Sequence, residues 1–146
     1  MDIIFVESTL RQRDNVGGSI AGVVFFRFGT TCFPGDGWND LVVVIAGWWL
    51  QAIERLTRDS ATECELRFID GPAWITISMV GAGRVLIKCV EDRFYKEPPR
   101  IVYEQEMLLN ELIAEVIRFA CRVVAVCSSR GFESKDLRFL HARLPN

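Results

Sequence analysis

The sequence predicts an α+β fold in which an antiparallel β-sheet of four to six strands is packed by two longer helices and followed by a short C-terminal helix. Apolar and polar residues alternate with period two over residues 63–91, which is typical of strands with one buried face. Over residues 108–129 the apolar residues recur every three or four positions, which indicates an amphipathic helix. A length of 146 residues suits one domain, so we expect a single domain over residues 1–146.

The N-terminal segment is predicted to contain two strands. Residues 2–6 (DIIFV) and 19–28 (SIAGVVFFRF) are rich in β-branched and aromatic residues, and the polar stretch RQRDNVGG lies between them. The following FPGDG, residues 33–37, favours a loop because its proline and two glycines suit turn geometry.

A helix is predicted over about residues 39–57, with Asn39 or Asp40 as its N-terminal cap. Residues 41–50 carry no charge. A membrane-spanning helix needs about 18–20 apolar residues, so this run predicts a buried helix of a water-soluble fold and no membrane association.

Trp38 and at least one of Trp48 and Trp49 are expected to be structural. Trp48 and Trp49 are adjacent, and adjacent helical residues point about 100° apart. One of them should therefore pack against a sheet while the other lies at its margin. Trp38, in the preceding loop, is predicted to belong to the core.

The second half should contain a meander of strands followed by two helices. Strands are predicted near residues 63–69, 73–80 and 84–91, because the breaks Asp-Gly-Pro and Gly-Ala-Gly are short and suit hairpin turns. Residues 101–106 (IVYEQE) can form one more strand. Gly131 is predicted to end the long helix that follows, and Ser134 to cap the last one.

This long helix is predicted to have one apolar stripe and an opposite polar side. The stripe consists of Leu109, Leu112, Ile113, Val116, Ala120, Val123, Val124 and Cys127. The polar side consists of Glu111, Glu115, Arg118 and Arg122. Such a helix should lie with its stripe on the sheet.

The residues that usually carry chemistry are sparse. Five cysteines lie in strand-like or helix-like stretches and are expected to be small, buried and reduced. The chain has one histidine, His141, and no C-x-x-C, so we predict no metal site; no cofactor motif is present either. Asp70 is interpreted as a turn residue rather than a general base. Pairing of a thiol with His141 stays an alternative, but we predict no catalytic residues.

Charge is uneven along the chain although the net charge is only −2. Residues 91–115 hold seven acids, which are Glu91, Asp92, Glu97, Glu104, Glu106, Glu111 and Glu115. The same range holds three bases, which are Arg93, Lys96 and Arg100. Residues 116–146 hold six bases against two acids.

Two explanations of this charge distribution stay open. The first explanation is that acidic residues before basic residues along a helix complement the helix macrodipole. The second is an acidic surface for a basic partner, with Glu104, Glu106, Glu111 and Glu115 as the partner-binding residues. The basic tail is too modest to favour direct nucleic-acid binding.

Several short motifs resemble those of small bacterial immunity proteins from polymorphic toxin systems such as contact-dependent growth inhibition. They are FP-x-x-x-W-x-D before an apolar helix containing WW, then RFIDGPAW, then VYEQEMLLNELIAEVIRFACRVVAVCSSRG. The resemblance covers about residue 25 to the end of the chain. The matching residues are Phe33, Pro34, Trp38, Asp40, Trp48, Trp49, Asp70, Gly71, Pro72, Glu104 and Gly131.

The resemblance implies a cytosolic protein without enzymatic activity. Such a protein binds one cognate toxin domain, often a nuclease, at the C-terminal end of a large secreted protein, and blocks its active site or substrate surface. The N-terminal sequence MDIIFVESTLRQRD does not look like a secretory signal, which agrees with a cytoplasmic location. A small-ligand-binding or enzymatic α+β domain stays the alternative, and the sequence does not indicate an oligomeric state.

Overall fold

Eight strands and three helices follow one another along the part of the chain that the computed structural model describes, which is residues 1–13, 18–58, 60–92 and 97–145. The strands are β1 (Asp2–Gln12), β2 (Ile20–Phe28), β3 (Thr31–Phe33), β4 (Asn39–Asp40), β5 (Glu63–Arg67), β6 (Ala73–Gly81), β7 (Arg84–Glu91) and β8 (Arg100–Leu108). The helices are α1 (Val42–Thr57), α2 (Leu109–Ser129) and α3 (Lys135–Arg143). Antiparallel strands with two longer helices and a short C-terminal helix confirm the predicted α+β class.

The strands divide between two antiparallel sheets of four strands each. In the first sheet β2 pairs with β1, β3 and β4. In the second, β5, β6, β7 and β8 pair in sequence order, so the predicted meander is confirmed and continues by one strand. The division into two sheets was not predicted, because β3 and β4 have only three and two residues and show no alternation of their own.

Helix α1 joins the two sheets. It contacts β2 of the first sheet and β5 of the second, and it packs against both other helices. Residues from both sheets and all three helices belong to one cluster of buried apolar side chains. The helix carries buried residues on most of its circumference, as its long uncharged run predicted.

The two adjacent tryptophans have the different environments that helical geometry requires. Trp49 is fully buried, with its ring centre 4.9 Å from that of Phe26, 5.4 Å from Phe68 and 5.3 Å from Phe119. Its Nε1 donates a hydrogen bond of 2.9 Å to the carbonyl of Arg67 at the end of β5. Trp48 is 44% exposed. The prediction of one core and one marginal tryptophan is confirmed.

Asp40 does not cap α1, so that prediction was wrong, and Asn39 does not cap it either. Both residues form β4, and the helix begins at Val42 without a side-chain cap. The buried Asp40 carboxylate instead accepts four hydrogen bonds. Its donors are Trp38 Nε1 (3.1 Å), Leu41 N (2.7 Å), Ile69 N (3.1 Å) and Asp70 N (3.2 Å). The carboxylate therefore ties the start of α1 to the turn after β5.

The polar side of α2 differs from its prediction, because part of it borders β1 rather than solvent. Glu115 Oε1 accepts a 2.7 Å hydrogen bond from the amide of Ile3. Arg122 Nη2 donates to the carbonyl of Phe5 at 3.2 Å. These bonds join the helix to the backbone of the first sheet.

The end of α2 and the start of α3 are as predicted. Gly131 follows the last helical turn with φ of 69°, a conformation that glycine adopts without strain. The Ser134 side chain accepts a 3.0 Å hydrogen bond from Leu137 N and caps α3.

The cysteines are free thiols, but they are not all buried. Cys64, Cys89 and Cys127 are buried and Cys32 is half-buried. Cys121 is exposed, so the prediction was wrong for this residue, which lies outside the apolar stripe of α2. Within the described ranges no helix has the length and hydropathy that crossing a membrane requires.

Replacing Trp49 by alanine should lower the free energy of unfolding by about 3–5 kcal/mol, because the change leaves a cavity at the junction of both sheets and α2. Trp48→Ala is the matched control and should cost much less, since this ring is 44% exposed. Urea denaturation followed by circular dichroism measures both values. Equal stability of the two variants would contradict the central position of Trp49.

Asp40→Ala should lower the free energy of unfolding by about 3 kcal/mol or more, because it leaves four donors without their charged acceptor. Asp70→Ala is the control: its carboxylate is exposed, and the expected change is within about 0.5 kcal/mol. Thermal and urea unfolding of both variants test this. A stable Asp40→Ala protein would show that the carboxylate does not hold the turn.

Candidate functional site

The outer face of the second sheet is the candidate functional surface. Alternate residues of its strands point to the core, where Leu66, Ile75 and Ile87 are fully buried. The residues between them point outward and, except for the buried Val90 beside Trp74, are exposed or half-buried. This face therefore borders solvent.

Four glutamates stand at the two margins of this face. Strand pairing places Glu65, Thr76, Lys88 and Glu104 in one row across the sheet. The next row is Glu63, Ser78, Leu86 and Glu106. Three interstrand spacings of about 4.8 Å separate β5 from β8. Glu63 and Glu65 on β5 therefore lie about 14 Å from Glu104 and Glu106 on β8. We call the surface formed by these two rows, together with Arg67, Trp74 and Arg84, the outer face.

Basic side chains on the outer face partly balance these acids. Glu65 pairs with Arg67 at 2.6 Å and Glu106 pairs with Arg84 at 3.4 Å, between side chains that are all more than one third exposed. Lys88 lies directly opposite Glu104 in the pairing of β7 with β8. Exposed pairs of this kind contribute little to stability, so their charges stay open to a partner. The surface is mixed in charge rather than strongly acidic.

An aromatic residue lies among these charges. The Arg67 guanidinium stands 4.9 Å from the ring centre of the half-buried Trp74. Tryptophan and arginine are among the residue types that most often contribute strongly to protein–protein binding. Both residue types are also enriched in protein interfaces relative to the rest of the surface.

The structure separates the four predicted partner-binding acids. Glu104 and Glu106 lie on the outer face, whereas Glu111 is exposed in the first turn of α2 and Glu115 faces β1. Glu63 and Glu65 join Glu104 and Glu106 and were not predicted. The alternation over residues 63–91 contained the signal for them, but a count of charge along the chain cannot show which strands become the two edges of a sheet.

Glu115 has a structural environment. Its side chain is 14% exposed and forms an ion pair with Arg118. Burial raises the pKa of Glu115, but hydrogen bonds from the Arg118 side chain and the Ile3 amide outweigh it, so the pKa lies below its usual value. The hydrogen bond between the Arg118 and Glu115 side chains also raises the pKa of Arg118. This carboxylate already has hydrogen-bonding partners within the fold.

Other residues of the acidic stretch, residues 91–115, contribute less to the outer face. Two of its bases, Arg93 and Lys96, lie outside the described residues. The acids Glu91 and Asp92 are half-buried at the end of β7.

The residues weighed for catalysis lie on different elements of the fold. Asp70 is exposed in the turn before β6, and His141 is exposed on α3. Burial raises the pKa of Cys64 and Cys127 to about 11 and that of Cys89 to about 12, so these thiols are protonated and poorly nucleophilic at neutral pH. Among the residues that the structure describes, no group of three or more His, Cys, Asp or Glu side chains could hold a metal ion.

Glu115→Gln should lower the free energy of unfolding at pH 7 by about 1–2 kcal/mol, because three charge-assisted hydrogen bonds, one from Ile3 N and two from the Arg118 guanidinium, are weakened. The folded-state pKa is depressed, so the ionised form contributes stability above its usual value of 4.5, and the contribution is lost as pH falls below it. The difference between the parent and Glu115→Gln should shrink in acid. Urea unfolding from about pH 3 to 7 measures it, with the exposed Glu111→Gln as a control. A difference that does not vary with pH would contradict the assigned interaction.

Comparison with known proteins does not assign this surface: no protein-family model matches the sequence, no curated protein matches it, and no solved structure matches the fold.

Proposed function

We propose that this chain is a non-enzymatic immunity protein that binds a cognate bacterial toxin domain through the outer face of its second sheet. The observation that carries the proposal is the outer face itself, which combines the Arg67–Trp74 stack with glutamates at both margins. The motif resemblance supports the same function. Binding of a protein needs a broad surface with a few strong contacts and no convergent catalytic groups.

The glutamates at the two margins of this mixed surface suit a domain with basic residues at matching positions, such as a nuclease whose active site must approach phosphates. Glu63, Glu65, Glu104 and Glu106 would face its lysines and arginines. Such contacts speed association, and close charged pairs across a protein interface can contribute about 1.5–7 kcal/mol. The toxin domain would be the C-terminal part of a large secreted protein, and the immunity protein would act in the cytoplasm.

A binding experiment with the toxin domain encoded by the adjacent reading frame tests the proposal. Isothermal titration calorimetry at low and high salt should detect a complex with the parent protein. Replacing Glu63, Glu65, Glu104 and Glu106 together by glutamine should weaken it at least about tenfold, or about 1.4 kcal/mol, and reduce its salt dependence. Trp74→Ala should weaken the complex without changing its salt dependence.

Glu111→Gln provides the matched control, because Glu111 is an exposed acid on α2 rather than on the outer face. Loss of affinity in Glu111→Gln but not in the fourfold variant would indicate that the toxin domain contacts α2 rather than the outer face. Glu115 was also predicted to bind the partner, but its variant must be compared at equal folded fraction, since that side chain also stabilises the fold. No complex with the toxin domain would overturn the proposed function.

A specific observation also supports the alternative of a small-ligand-binding domain. A groove of about 690 Å³ lies between α1 and β5 and is lined by Trp48, Arg55, Arg67 and Arg143 among other residues. This volume falls within the range of known ligand sites, about 300–1,000 Å³.

A further inference from the structure

Arg143, at the end of α3, has an unusual environment. Its guanidinium stands 4.3 Å from the ring centre of Phe139, which is itself 46% exposed. Its Nη1 is 3.6 Å from Glu54 Oε2, which is an ion pair beyond hydrogen-bonding distance. Its Nε is buried and donates no hydrogen bond to any group in the described part of the chain.

The free edge of this guanidinium is the one that binds anions best. Nε and Nη2 point in the same direction and together match the two oxygens of a carboxylate or phosphate. Glu54 stands at Nη1, and Nε on the other edge has no acceptor among the described residues. A buried donor without an acceptor costs free energy, so a ligand oxygen placed there would relieve that cost. The Phe139 ring limits the movement of the guanidinium, so that only a small shift is needed for binding.

Two grooves meet at Arg143. The 690 Å³ groove has the 44% exposed ring of Trp48 on its α1 side. A second groove, of about 540 Å³, has the apolar side chains of Ile53, Ile117 and Leu144 in its wall. A flat apolar group therefore finds a stacking surface or an apolar wall beside the cation.

Acidic residues in the larger groove do not cancel this site. The groove is lined by equal numbers of glutamates and arginines, which are Glu54, Glu63, Glu65, Arg55, Arg67 and Arg143. Glu65 is paired with Arg67 at 2.6 Å, and Glu63 accepts a hydrogen bond from Ser78. Among these acids Glu54 competes for Arg143, and at 3.6 Å it does so weakly.

We propose that Arg143 and Trp48 form a binding site for an aryl anion, meaning a flat apolar group that carries a carboxylate or a phosphate. The charged group binds the Nε–Nη2 edge of Arg143 after a small shift of the guanidinium toward the groove. The apolar group packs on Trp48. This site lies on α1 and α3 and does not rest on the toxin-binding proposal.

Titration of the full chain with three small probes tests the site. Phenyl phosphate and phenylacetate carry the two candidate anions, and 2-phenylethanol is the neutral analogue. The readout is the movement of the side-chain N–H resonances of Trp48 and Arg143 in ¹⁵N-labelled protein. At least one anion should bind at least about fivefold more tightly than the neutral probe, because only the anions can accept from the two-pronged edge. The comparison of the two anions distinguishes carboxylate from phosphate.

Three variants separate this site from adventitious binding. Arg143→Lys keeps the charge but removes the two-pronged edge, so it should weaken anion binding at least about fivefold and leave the neutral probe unchanged. Trp48→Leu should weaken all probes. Glu54→Gln should strengthen anion binding, because it removes the competing carboxylate, whereas a purely structural Arg143–Glu54 contact predicts no gain.

Arg138→Lys is the matched control, because Arg138 lies on α3 beside a different groove that contains His141. Each variant is first checked for a parent-like melting temperature. Equal affinity for charged and neutral probes, or equal losses in Arg143→Lys and Arg138→Lys, would overturn the proposal.

Discussion

Burial of the Trp49 indole is the interaction on which most of the structure depends. Its ring contacts Phe26 of the first sheet, Phe68 just after β5 of the second sheet and Phe119 of α2. Its Nε1–H also satisfies the Arg67 carbonyl at the end of β5. One side chain thus joins three layers of the fold. Because aromatic pairs prefer tilted and edge-to-face geometry, these contacts also fix the orientation of α1 relative to both sheets.

Asp40 provides the polar counterpart of this contact. A buried carboxylate with four donors holds Trp38, the start of α1 and the turn after β5 in one arrangement. The sequence could predict helices and the meander because their periodicities are local. It could not predict the role of Asp40, because a residue just before a helix has the same local pattern whether it caps that helix or binds a turn 29 or 30 residues away. The hydrogen bond between Ile3 and Glu115 was not predicted for the same reason, since the two residues are distant in sequence.

The outer face shows a similar limit for function. Alternation over residues 63–91 indicated that Glu63 and Glu65 point away from the core, whereas Glu104 and Glu106 were chosen from the local excess of acids. Their grouping with Glu63 and Glu65 depends on strand order, which brings β5 and β8 to the two edges of the same sheet. Glu106 and Glu111 are close along the chain but are separated by the change from strand to helix. Charge counted along a sequence is therefore a poor guide to charge on a surface.

The core and the Arg143 site are linked through the geometry of α1. Adjacent helical residues differ by about 100°, so the rotation that buries Trp49 also fixes the direction of Trp48 into the groove. One residue earlier, a Cβ at Gly47 would lie 3.8 Å from the Phe139 ring, so α3 packs closely against this part of α1. The Phe139 ring in turn contacts the Arg143 guanidinium. The exposed tryptophan and the stacked arginine are thus held on rigid elements by the same packing that stabilises the fold, and a ligand that binds them need not order them first.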